Sequence, residues 1–232
     1  MSFRAFDANR DQKAVHRIWL ETGWLDRDDE NDARYFDIAL SNCRAFVADI
    51  GKEAECLVMS VPGNILHLQD EISTGIVSAV TSSLIARKQG LASRLTAKIV
   101  AEDAESGMET STLGMFEQGY YSRLGFGTGP YEHIVAFDPS RLNTNNKAGI
   151  PIRLAIDDFK DIHQAMTNRW RGHGGVQLTP QEHTHAELGW TENGFGLGYR
   201  DDLGELTHFV WGERKKESGP YKMVCMRSGR RC

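Results

Sequence analysis

The sequence predicts an α/β (α+β) fold: a mixed, mostly antiparallel sheet flanked by helices, followed by a second, incomplete unit of the same kind. Three observations lead there. Hairpin-length apolar runs give way once, near Gly90, to a helical period, which marks a single strand-to-helix crossover in an otherwise hairpin-built sheet. The strand, helix, helix, hairpin order that opens the chain is replayed after Ile150. With 232 residues, 40% of them hydrophobic and 25% charged, the chain can bury a core in one or two domains.

Residues 3–8 read as a strand and 10–24 as an amphipathic helix, with Val15, Ile18, Trp19 and Thr22 at helical spacing. An acidic connection (Asp26, Asp28, Asp29, Glu30, Asp32) leads to a second helix over 32–41. Residues 43–50 and 55–61 are strand-like around a turn at Gly51 and Lys52. Pro62, Gly63 and Asn64 predict a further hairpin, after which 65–68 lead to a strand over 72–83. Leu91, Leu95, Ile99 and Val100 share one face of a helix expected over 89–106 and stopped at Gly107. Residues 109–115 form the next strand, 117–124 a short helix closed by Gly125, and 130–137 another strand.

The polar, Asn-rich stretch 138–149 reads as a linker. It divides the chain into a first domain over 1–140, a linker over 141–150 and a partial second domain over 151–232. In the second, 152–156 replay the opening strand and 161–170 the first helix. Residues 179–188 give a second helix, with Thr179 and Glu182 spaced as a capping box, and 195–199 and 206–211 a hairpin around 201–204. After 221–226 the sequence closes on 227–232, so the second copy is expected to stop short of its long helix and final strands.

A net charge of -5 and a pI near 5.9 argue against nucleic acid or an anionic membrane as partner, since both need a basic face. Apolar runs fall short of the roughly 20 residues of a membrane span, and Met1, Ser2, Phe3 and Arg4 lack a signal-peptide layout. Cys43, Cys56, Cys225 and Cys232 are scattered without a C-x-x-C pair, as expected in a reducing compartment. A cytoplasmic location follows. His173, His183, His185 and His208 are the one metal-like gathering. His183 and His185, two apart on a helix, point to different faces, so no metal is expected.

A helix N-terminus reached directly from a strand is an anion site, because its free N–H groups and dipole both favour negative charge. Arg87, Lys88, Gln89, Gly90, Leu91 and Ala92 supply that pattern: Gly90 permits close approach of a pyrophosphate, Ala92 keeps the next turn uncrowded, and Arg87 and Lys88 add positive charge. The segment AVTSSLIARKQGLASRLTAKIV resembles motif A of the GNAT N-acetyltransferase superfamily (Q/R-x-x-G-x-G/A), and YYSRLGF downstream resembles its second signature. Two such units in tandem are similar to the enhanced intracellular survival acetyltransferases.

The resemblance implies acetyl-CoA as cosubstrate, with Val80 and Ser82 presenting backbone groups to the pantetheine arm and Arg87 to Ser93 holding the pyrophosphate. It implies Tyr121 as the acid that protonates the departing thiolate. It leaves the general base open. Thr74 stands where some relatives carry Glu, Glu71 is expected on the other face, and the chain-terminal carboxylate used by the resembled subfamily is expected to be missing. Leu84 stands where Pro is frequent. The acidic connection, Asp28, Asp29 and Glu30 above all, is the candidate to attract a cationic acceptor: a small-molecule amine or a lysine side chain. The expected reaction is direct amine attack in a ternary complex. The alternatives are a non-catalytic acyl-CoA-binding or regulatory module, and a scaffold that forms a homo-oligomer.

Overall fold

The structure is a computed structural model that describes residues 1–115, 117, 119–129, 141, 143, 149–191, 193–213 and the backbone of 222–227. The expected strand over 130–137 and most of the linker lie outside the described residues. The elements are β1 (Ser2–Ala5), α1 (Ala8–Thr22), α2 (Glu30–Ser41), β2 (Arg44–Ile50), β3 (Glu53–His67), β4 (Asp70–Ser82), α3 (Leu91–Glu105) and β5 (Thr110–Leu113). Then come β6 (Ile152–Leu154), α4 (Phe159–Thr167), β7 (Val176–Leu178), α5 (Gln181–Gly189), β8 (Gly194–Arg200), β9 (Leu206–Glu213) and β10 (Lys222–Arg227).

The first sheet runs β1-β2-β3-β4-β5, antiparallel except for the parallel β4–β5 pair. Its strands alternate by face, as a period of two requires. Ala45, Val47, Leu57 and Met59 pack with Val15, Ile18 and Phe36 of α1 and α2, whereas Phe46, Ala48, Cys56 and Val58 pack with Leu91, Leu95 and Ile99 of α3. Asp7 caps α1 by accepting from the Asn9 N–H, and Gly23 ends it at φ 78°. Beneath α3, the buried Asp103 accepts from Arg44 and Ser60, tying the helix to β2 and β3. No helix among the described residues is long and apolar enough to cross a membrane.

The second sheet, β10-β9-β8-β6, is antiparallel throughout. Its β6, β8, β9 and β10 neighbour one another in the same chain order as β1, β2, β3 and β4. Its core gathers Leu154, Ile162, Leu188, Phe209 and Trp211.

Several expectations are corrected. Residues 62–64 form no hairpin; β3 runs straight through them, and the chain reverses after His67, with Leu68 at φ 56°. Pro62 is tolerated because that edge of β3 uses only its carbonyl, which accepts from the Thr179 N–H. β2 ends opposite Ser60, and β7 begins pairing at Gly63, so no neighbour needs the missing N–H. The sequence reading also missed β7, which leaves the second unit and pairs antiparallel with β3. The capping box is absent: Pro180 is the cap of α5, without a side-chain bond, and the Thr179 N–H goes to the Pro62 carbonyl. The helix expected over 161–170 ends at Thr167, because the chain must turn towards β7, and Trp170 is 81% exposed.

Candidate functional site

The site is built where β4 parts from β5. Their pairing ends at Val77 and Leu113, while β4 continues against β3 to Ser82. Between these points the β3–β4 register slips, Met59 facing Ser78 but Leu57 facing Thr81, and Ala79 adopts φ 52°. A β-bulge like this bends the strand and re-aims its edge. Because the Ser83 N–H donates to the Glu55 carbonyl of β3, alternation turns the backbone groups of Ser82 and Val80 to the opposite, open edge. The Ser82 hydroxyl lies 3.4 Å from the Cys56 sulfur. Burial pushes that thiol up to about 11, so it stays protonated.

Past β4 a short 3-10 turn, Leu84–Ala86, leads into the loop before α3. Arg87, Lys88, Gln89 and Gly90 are exposed. Lys88 (φ 62°) and Gly90 (φ 70°) are both left-handed, and a Cβ at Gly90 would meet only open space. The helix starts at Leu91, two residues later than expected, because Gly90 is its cap and offers no side chain. The N–H groups of Leu91, Ala92 and Ser93 therefore stand at an uncapped first turn. The Leu91 side chain belongs to the core, and Ala92 and Ser93 are half-buried.

YYSRLGF forms a 3-10 turn, Tyr121–Leu124, closed by Gly125 at φ 92°. The Tyr120 hydroxyl bonds the Ser93 hydroxyl at 3.0 Å, so the aromatic pair sits against the first turn of α3. Tyr121 stacks edge-on with Tyr120 and Phe126 at 4.9 and 6.1 Å. Burial pushes its hydroxyl upward, and Tyr120 and Glu117 add to this. The sequence reading gave Tyr120 no contact with the loop region; its signal was the doubled aromatic, of which one member reaches Ser93.

The other sequence candidates divide. Thr74 is fully buried and donates to the Thr112 hydroxyl. Glu71 is held by Arg171 of the second unit. Asp29 caps α2 by accepting from the Asn31 N–H, and the Asp26 carboxylate accepts from the Asp28 N–H. Asp29 and Glu30 line an open pocket of about 690 Å3 between α1 and α2, with Arg17, Glu21 and Asp26; Asp28 does not.

This pocket connects to the loop through Glu21, whose carboxylate accepts the Leu84 N–H at 2.9 Å. That bond holds the Glu21 carboxyl below its ordinary range, with Arg17 and Arg87 contributing against burial. A proline at position 84 could not make it. The four histidines are dispersed: His173 accepts from the Leu68 N–H, His185 stacks on Phe159, and His183 is buried. Among the described residues no group of three His, Cys, Asp or Glu side chains is placed to hold a metal ion.

A family model described as an acetyltransferase (GNAT) domain matches residues 9–129, just over half of the chain. No curated protein matches in sequence. Among solved structures the chain is similar to a probable N-acyltransferase from Enterococcus faecalis, at 14% identity and TM-score 0.72, covering 98% of this chain and 58% of that one. It is similar to Eis1 from Mycobacterium abscessus (12%, TM-score 0.71, 98% and 59%) and to a GCN5-related N-acetyltransferase from Kribbella flavida (14%, TM-score 0.67, 99% and 58%). At these identities the likeness is one of fold. The chain spans about 58–59% of the length of these structures.

Proposed function

The chain belongs to the GNAT acetyltransferase domain family, and from that premise we propose that it moves an acetyl group from acetyl-CoA to a primary amine by direct attack in a ternary complex. The observation that carries this reading is the open edge of β4 joined by one loop to the uncapped first turn of α3. The residues present fit the coenzyme: an anion at that turn meets the first-turn N–H groups and a positive dipole end, and among the described residues a Cβ at Gly90 would meet nothing within 4 Å.

In this reading Val80 and Ser82 offer backbone groups to the pantetheine arm, and Arg87, Lys88, Gln89, Gly90, Leu91, Ala92 and Ser93 hold the pyrophosphate. Acetyl-CoA supplies the thioester carbonyl. Tyr121, kept protonated by burial, gives its proton to the departing sulfur. Cys56 stays a neutral thiol, which favours direct transfer over a covalent intermediate. The domains are read as 1–140, a linker over 141–150 and a partial GNAT-like unit over 151–232, on the strength of the matching strand order in the two sheets. The free thiols of Cys43 and Cys56 favour the cytoplasm.

Calorimetric titration with acetyl-CoA, followed by thiol release with a panel of amines, tests the reading; no binding would falsify it. Tyr121→Phe should lower kcat about 10²-fold with acetyl-CoA affinity unchanged, and a wild-type kcat in the variant rejects the acid role. The second reading, a coenzyme-binding module without turnover, is favoured by β4, where Thr74 is buried and Glu71 is taken by Arg171. Binding without thiol release from any amine decides for it.

The acidic connection attracts cationic acceptors by its field, since Asp26 and Asp29 are already committed to local backbone bonds. Neutralising Asp28, Asp29 and Glu30 together to Asn, Asn and Gln should raise the KM for spermidine about threefold at low salt, and the gap should close near 1 M salt. An unchanged KM at low salt removes the acidic run from the acceptor's path.

A further inference from the structure

Between the first sheet and the helices of the second unit lies a cavity of about 260 Å3. Ile76 and Ser78 of β4 form part of its wall. They face away from α3, because Val77 between them packs on that helix, and Ser78 directly precedes the bulge residue Ala79. The cavity therefore abuts the strand segment whose open edge forms the candidate site. The second unit supplies His163 of α4, Gln177 of β7 and His183 of α5.

Two residues that line it each carry a buried acceptor atom with no hydrogen-bond partner among the described residues: Gln177 Oε1 and His183 Nε2. His183 is 6% exposed, and the Asn42 backbone carbonyl faces its ring as an acceptor, which with Nε2 unpartnered assigns that contact to Nδ1. That bond places the proton on Nδ1 and the lone pair on Nε2. His163 is already engaged by the Thr184 hydroxyl and by the Thr179 carbonyl. Two unpartnered acceptors call for a ligand with at least two N–H donors. A primary amine has them; an alcohol has one donor, and a carboxylate has none.

We propose that this cavity receives the acceptor amine, with Gln177 Oε1 holding one N–H and His183 Nε2 taking the proton that the nitrogen loses. The proposal rests on the acetyl-transfer reading. The nitrogen lone pair forms the C–N bond at the thioester carbonyl, the C–S bond breaks with its electron pair on sulfur, and sulfur takes the Tyr121 proton. The proton shed by nitrogen ends on His183, the base that β4 does not provide.

Burial pushes His183 below the ordinary imidazole value, while the Asn42 carbonyl and Glu182 oppose this. The ring is therefore neutral and able to accept at pH 7. Among the described residues the charged and titratable groups that line the cavity or act on the ring are Glu182 and Glu187 on α5, His163 on α4, and Arg169 on the approach to β7. Among the described residues β3 and β4 contribute Val61, Ile76 and Ser78 to the cavity, none of them charged. The volume lies just below the roughly 300–1,000 Å3 usual for drug-sized ligands, so a compact amine end fits.

The test titrates phenethylamine and 1,5-diaminopentane calorimetrically, with and without coenzyme A, into wild type, His183→Asn and Gln177→Leu. Asn keeps a donor for the Asn42 carbonyl and deletes Nε2. Wild type should bind at least one amine, each variant should bind it about tenfold or more weakly, and the His183 Nε2 resonance should shift on amine addition. In turnover His183→Asn should lower kcat about 10²-fold and lose the acid limb of its pH profile, at unchanged acetyl-CoA affinity. Wild-type affinity in both variants, or no amine binding by wild type with or without coenzyme A, overturns the proposal. Failure of wild type to bind acetyl-CoA counts against the acetyl-transfer reading alone, because the amine titration without coenzyme reads the cavity by itself.

Discussion

Replacing Ala92 by Glu is expected to weaken acetyl-CoA binding about 100-fold or more while leaving the stability of the fold unchanged or slightly raised. Ala92 is the second residue of α3, half-buried, in a first turn that has no side-chain cap. A Glu there folds back onto the free N–H groups. Its charge suits the helix dipole, which is worth about 0.3–1 kcal/mol. In the proposed binding mode the same charge would compete with the pyrophosphate for those donors and repel it, and two unit charges about 4 Å apart near a protein surface interact by roughly 4 kcal/mol. A 100-fold loss corresponds to about 2.7 kcal/mol, within that bound. Calorimetry gives the affinity and thermal unfolding gives the stability. Ala97→Glu is the control, since Ala97 is exposed on the same helix, about 7.5 Å further along its axis. Equal affinities for Ala92→Glu and wild type would remove the pyrophosphate from this turn.

The crossover at the heart of the site was legible because it is a local event. A period of two up to Ser82 becomes a period of 3.6 from Leu91, and the Gly between them can take the left-handed conformation that the loop uses. The helices α1, α2 and α3 were readable for the same reason, each having an apolar stripe. What escaped the sequence depends on partners far along the chain. Pro62-Gly63 looks like a turn unless the neighbouring edge is known to need only the proline carbonyl, and that follows from where β2 stops and β7 starts. β7 itself is three residues long, too short for any period, and it is a strand because β3 has an edge to offer.

The acidic connection illustrates a different limit. Composition shows charge but not commitment, and Asp29 spends its carboxylate on the cap of α2. His183 gave no signal either. Its significance lies in an unpartnered nitrogen in a cavity shared by two units, whereas the sequence spacing could only argue against a metal.

Arg4→Met should destabilise the fold by about 3 kcal/mol at neutral pH, and the deficit should shrink as the pH falls below about 4. The Arg4 guanidinium is a clamp between two carboxylates. Its Nη1 and Nη2 reach Asp11 at 2.6 and 2.7 Å, and its Nε and Nη2 reach Asp49 at 2.9 and 2.7 Å. Asp11 and Asp49 are 1% and 4% exposed, and the trio joins β1, α1 and β2 at the edge of the first sheet. Breaking a buried pair by removing one partner typically costs about 3–5 kcal/mol. The lower end applies, because Arg10 remains on Asp49 and the Asp7 N–H on Asp11. Burial alone would push both carboxyls up, but Arg4 and the other donors outweigh it and hold both below the ordinary range. Their stabilising contribution is therefore present above the unfolded value near 3.9 and is lost as the pH falls through the lower folded values. In the variant burial is left with less opposition, so protonation no longer costs the folded state what it costs wild type. Urea unfolding of the two proteins at pH 7 and pH 3 measures this directly. A difference that is under 1 kcal/mol at pH 7, or equal at both pH values, would show that the clamp contributes no pH-linked stability.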